Sequence, residues 1–192
     1  MKTGTRQNLQ KTILMAMLVA IAVVSVYFIR IPLIPAAAFL EYDIADVPVL
    51  IGTMLFGPAA GFVILLITSA LQALTVSSAS GVIGFIMHVI ASSMLVVPAG
   101  ILYKKMSSKK GMIIGLTIGT VLMTLIMIPL NIVLTGFFLV PGDISQGVHI
   151  VLGMLAPAII PFNLIKGILN SVLTFFLFIP VSAIYKKLSK SV

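Results

Sequence analysis

The sequence predicts an all-α integral-membrane protein: six transmembrane helices in one bundle and one domain. Three observations carry that prediction. The 192 residues are 60% hydrophobic and only 8% charged, with a mean hydropathy of +1.27. Several apolar runs reach the roughly 18 residues that cross a bilayer as a helix. Ten of the twelve lysines and arginines fall in three short clusters, at 2–11, 104–110 and 186–190, separated by apolar stretches. The formal net charge of +8 therefore reads as membrane topology, not as a nucleic-acid surface. Cysteine is absent, which excludes disulfides and thiol chemistry.

The elements follow in order. Lys2, Arg6 and Lys11 precede a first span at 12–29. A basic start, an apolar core and Ala36-Ala37-Ala38 also fit a secretory leader, but everything downstream is membrane-like too. Ala16 and Ala20 form a small-xxx-small step, which permits close helix approach. Residues 30–46 read as a loop broken by Pro32 and Pro35, and they hold Glu41, Asp43 and Asp46, three of the four acidic residues. Asp46, two residues before Pro48, fits a helix N-cap. The second span, 47–56, is short, about 15 Å at 1.5 Å per residue. Gly57-Pro58 makes a turn. A third span follows at 59–76 with Gln72 near its far end, then a serine-rich turn at 77–80. The fourth span is 81–103, carrying His88, and the fifth is 112–137, carrying Asn131. A connection over 138–156 leads to the sixth span, 157–185. With six spans, the three basic clusters must share one side. The positive-inside rule makes that side, and both termini, cytoplasmic.

The most informative residue is Lys166, deep inside the last span. A cation at the bilayer centre costs about 2.5–3.5 kcal/mol on insertion scales, so it faces protein, water or a ligand. Asn163, Lys166 and Asn170 stand at i, i+3 and i+7, on one helical face. A snorkelling lysine with helix-bridging asparagines is the plainer alternative. Depth favours a site. Asn163, Lys166, Asn131, His88 and Gln72 all fall about 6–14 Å below the outer surface at 1.5 Å per residue, beside the acidic loop. The inner half is almost purely apolar. A pocket collecting these groups opens outward, which suits capture rather than a channel.

Catalytic motifs are missing. There is no G-x-x-x-x-G-K-[ST], no H-E-x-x-H and no CxxC, so neither a P-loop nucleotide site nor a metal site is expected. His88 and His149 lie far apart without neighbouring carboxylates, and all four carboxylates read as outer-loop residues. No nucleophile pairs with a base. An enzyme is not expected, and no catalytic residue is assigned.

Three motifs carry a resemblance: LEYDIADVPVLIG at 40–52, FGPAAG at 56–61 and IIPFNLIKG at 159–167. With the six-span plan and the chain length, they make the sequence similar to the substrate-binding S components of energy-coupling factor (ECF) vitamin transporters, in particular the riboflavin-binding ones. The resemblance implies a six-helix bundle in a prokaryotic cell membrane that binds riboflavin as transported substrate, not as cofactor, near the outer surface under the loop after the first helix. Asn163 and Lys166 would contact the flavin, joined by Asn131 in a matching Pro-Leu-Asn step. Gln72, His88 and Asp43 supply further polar groups, and Phe39, Leu40 and Phe162 apolar ones. Ala16 and Ala20 resemble the family's small-residue motif for docking a transmembrane coupling subunit, which works with two ABC-type ATPases. The third helix departs from many riboflavin members. It has Ser69 and Gln72 where they carry a lysine and an asparagine, which leaves open FMN, roseoflavin or another vitamin such as a thiamine-like one. A non-transport structural or assembly protein, whose Lys166 pairs with Asp43 or a lipid phosphate, is the rival from another class.

Overall fold

The computed structural model describes residues 3–190, with side chains described for residues 5–187. Lys2 and the side chain of Lys190 therefore lie outside the described residues. Helix α1 runs Thr3–Phe28. It begins earlier than the apolar span because Arg6, Gln7, Leu9, Gln10 and Lys11 are good helix formers. Two short strands follow, β1 (Arg30–Pro32) and β2 (Glu41–Asp43). They pair antiparallel with Arg30 opposite Asp43, Ile31 opposite Tyr42 and Pro32 opposite Glu41. The outer loop expected to be irregular is thus a small hairpin lid.

Helix α2 spans Asp46–Phe56, and α3 spans Pro58–Leu74. Gly57 joins them with φ +93°, a left-handed conformation that a side chain would strain. Every residue of α2 from Asp46 to Met54 is buried, and the helix packs against α1, α3, α4 and α8. It forms the centre of the bundle, where Leu50 meets a core that includes Ile64, Leu95 and Met123.

Helix α4 (Gly81–Met106) and helix α5 (Lys109–Leu130) form an antiparallel pair. A Cβ on Gly119 would lie 2.5 Å from the Leu95 carbonyl oxygen and 3.0 Å from its Cα. Backbone meets backbone there, the contact that small residues at i and i+4 make possible in membranes. Gly111, Gly115 and Gly119 supply that spacing. Helix α5 continues through a π-helical stretch, Asn131–Thr135, into α6 (Gly136–Leu139).

The connection expected at 138–156 is mostly helical. Helix α7 (Ile144–Met154) passes through a second π-helical stretch, Leu155–Ile159, into α8 (Ile160–Lys190). Pro157 does not start the last helix but sits inside this stretch, where the wider turn accommodates a residue with no N–H to donate. Asp143 begins α7 by accepting a hydrogen bond from the Gln146 N–H at 2.9 Å.

Among the described residues, four helical segments are long and apolar enough to cross a membrane: Thr5–Phe28, Gly81–Met106, Lys109–Leu139 and Ile144–Lys187. Helices α2 and α3 are shorter apolar helices.

Candidate functional site

Asn163, Lys166 and Asn170 share one face of α8, as their spacing requires, and all three are at most 9% exposed. Asn163 donates from Nδ2 to the Ile159 carbonyl at 2.8 Å, and Asn131 does the same to Met127 at 2.7 Å. Each amide is thus tied to the carbonyl one turn back, which aims its Oδ1 away from that helix turn. The Asn131 Oδ1 accepts from the Thr135 hydroxyl at 2.9 Å.

These residues wall a cavity of about 410 Å³, within the range of small-molecule sites. All eight residues singled out for the substrate line it: Phe39, Leu40, Asp43, Gln72, His88, Asn131, Asn163 and Lys166. Met123, Met127 and Ala91 give apolar surface, and Phe162 joins them from α8. The hairpin lid covers the cavity. At the mouth, the Arg30 guanidinium binds both the Glu41 carboxylate and the Val76 carbonyl, tying the lid to the turn between α3 and α4.

The lid is anchored below by Lys166, whose ammonium donates to Asp43 Oδ2 at 2.7 Å. Burial alone would raise the Asp43 carboxyl. The charges of Lys166 and His88, with hydrogen bonds from Lys166 and the Ala45 N–H, outweigh it and hold the group below its ordinary value of 3.8. A carboxyl held low in the fold stabilises it at every pH above the ordinary value. That contribution is lost only as pH falls through the lowered one, so mildly acid medium leaves the lid pair intact.

Three expectations are corrected here. Asp46 is not an N-cap: Ala45 holds that position, and Asp46 is wholly buried. Its Oδ2 accepts from Asn170 Nδ2 at 3.3 Å, while Asn170 Oδ1 accepts from the Tyr42 hydroxyl at 3.0 Å. The carboxylates are therefore not all in outer loops. Nor does His88 lack one nearby, since its Nε2 stands 3.7 Å from Asp46 Oδ1 and its Nδ1 lies 2.7 Å from Ser69 Oγ. Among the described residues no group of three or more histidine, cysteine and acidic side chains is placed to hold a metal.

Asn170 is the joint of this buried network, linking lid, α2 and α8. Asn170→Leu leaves the Tyr42 hydroxyl without its acceptor and Asp46 Oδ2 without its donor, and should destabilise the fold by about 3 kcal/mol. Thermal melting in detergent should then fall by at least ~5 °C; an unchanged melting temperature would show that the network is not structural.

A family model described as the ECF transporter substrate-specific component matches residues 10–178. The chain belongs to that family. The rival structural or assembly role is set aside by this membership, and the S component is a subunit of a transporter, not an enzyme. Its spanning helices make it a multi-pass membrane protein. The riboflavin transporter FmnP of Bacillus subtilis (strain 168) is 34% identical over 180 residues, covering 90% of this chain and 92% of FmnP. The riboflavin transporter RibU of Streptococcus thermophilus is 32% identical over 189 residues, covering 94% of this chain and 87% of RibU. RibU of Staphylococcus aureus is 32% identical, with 92% of each chain covered. A solved S component of a bacterial ECF transporter superposes with a TM-score of 0.74 at 32% identity, over 94% of this chain and 99% of that one.

Sequence reasoning missed Arg30, Glu41, Ser69 and Asp46 as site groups. Arg30 carried a signal: with Lys166 it is one of only two basic residues outside the three clusters. Asp46 carried none, because its partners Asn170 and His88 are distant in sequence. Ala16 and Ala20 are not in the cavity; both are exposed on α1, on a different face from buried Ala22 and Val26.

Proposed function

We propose that this S component captures riboflavin at the outer face of a prokaryotic cell membrane and delivers it inward with an energising module. The observation that carries the reading is the lidded cavity of about 410 Å³. It pairs apolar surface with a few directed polar groups, as a flat ring system with amide-like edges needs. Relatives named riboflavin transporters, alike over nearly the whole chain, support the same ligand. Asn131, Asn163 and Lys166 contact the flavin. Phe39, Leu40 and Asp43 close over it from the lid, and Gln72 and His88 face it from α3 and α4.

In this reading the chain is one integral-membrane domain with six crossings, α2 being the short one buried at the centre. Both termini are cytoplasmic, with the basic clusters at 104–110 and 186–190 on the inner side. Ala16 and Ala20 dock a transmembrane coupling subunit served by two ABC-type ATPases.

The test is an absorption spectrum of the protein purified in detergent, followed by riboflavin titration read by flavin fluorescence. A yellow preparation, or saturable quenching at one ligand per chain, is the expected result. A colourless protein that ignores riboflavin overturns the ligand and turns the titration to FMN, roseoflavin and other vitamins.

A further inference from the structure

The cavity has two polar walls of different chemistry. On α8 and on the π-helical stretch after α5, the amides of Asn163 and Asn131 are each bonded to the carbonyl one turn back, and Lys166 is held by Asp43. Those groups have fixed directions. On α3 and α4 stand Ser69, Gln72 and His88. Ser69 Oγ and His88 Nδ1 bond each other and His88 Nε2 faces Asp46 Oδ1, so the primary amide of Gln72, which both donates and accepts, is the group left to meet a ligand. Gln72 adds a specific vacancy. It is 6% exposed, it lines the cavity, and its Nε2 has no hydrogen-bond partner. A buried donor left unpaired is destabilising, and a turn of the Gln72 amide toward the cavity would let a ligand acceptor satisfy it.

Resting on the riboflavin reading, we infer that Gln72, supported by the Ser69–His88 pair, reads the ribityl chain of the flavin, with Gln72 Nε2 donating to one of its hydroxyl oxygens. A polyol presents groups that both donate and accept, and the Gln72 amide can match either sense. The ring's imide edge has fixed donors and acceptors, and the wall of oriented amides and ammonium suits it. Position agrees with the chemistry. Gln72 lies in the last turn of α3, next to the serine-rich turn whose Ser77 and Ser80 line the same cavity at its exposed end. The chain therefore runs along α3 toward the mouth, and its terminal hydroxymethyl lies closest to solvent.

The experiment compares riboflavin with lumiflavin, which keeps the ring system and replaces the ribityl chain with methyl. Affinities are measured for the unaltered protein and for Gln72→Leu and Gln72→Glu by fluorescence titration. The unaltered protein should bind riboflavin about tenfold or more tighter than lumiflavin. Both substitutions should remove most of that preference while leaving lumiflavin affinity unchanged, which also reports that the variants are folded. Equal affinity of the unaltered protein for the two ligands overturns the inference without any variant. So does a preference that survives Gln72→Leu, or an equal loss for both ligands in the variants, which would put Gln72 against the ring or in the fold. If the unaltered protein binds neither flavin, it is the riboflavin reading that fails.

Discussion

Lys166→Ala weakens riboflavin binding about tenfold or more, a loss of ~1.4 kcal/mol, as the expected result of a fluorescence titration. The ammonium lies in the cavity wall and has three donors, of which Asp43 takes one. A cation kept at this depth is stabilised by what it meets there, and its removal takes away both a ligand contact and the lower anchor of the lid. Asp43→Asn separates the two. It keeps a hydrogen-bond acceptor opposite Lys166 but removes the charge, so it loosens the lid without touching the ammonium's other donors. If Lys166 meets the flavin, its alanine variant must lose more affinity than Asp43→Asn. Equal losses would confine Lys166 to holding the lid, and unchanged affinity in both would reject the site.

The second large effect lies on the opposite side of the chain's work. Changing Ala16 and Ala20 together to leucine should leave riboflavin binding unchanged and reduce uptake by cells with the complete transporter about tenfold or more. Neither residue lines the cavity, and both are exposed on α1, beside the exposed row of Ile13, Met17 and Ile21. Two alanines one turn apart let another helix approach closely, and leucines hold it away. Uptake that survives the double substitution, with every partner present, would reject this face as the docking surface. Loss of binding in the purified variant would instead mean that α1 supports the site.

The contrast between these two regions and Asp46 explains how far the chain could be read unaided. The Asn163–Lys166–Asn170 face followed from helical periodicity, which is local: once a segment is helical, spacing alone puts the three on one side. The grouping of Asn131, His88 and Gln72 around one cavity was expected from a common depth, the bilayer serving as an external ruler for any long apolar helix. Helix α7 was within reach as well. Asp143 with Gln146 three residues on is a helix start, but Pro141-Gly142 and Pro157 on either side made 138–156 resemble a loop.

Composition and charge order were enough for the membrane class, the helical fold, the polar cluster and the family resemblance, because each depends on short stretches of chain or on its solvent. Asp46 shows the other case. Next to a loop and just before Pro48, it has the local setting of a cap, yet it lies wholly buried against Asn170 and near His88. The same holds for the hairpin that makes the lid, for Arg30 latching it to Val76, and for the Ser69–His88 pair across two helices. These are pairings between residues far apart in sequence, and no periodicity encodes them. They exist only once α2 is packed at the centre and the other helices have closed around it.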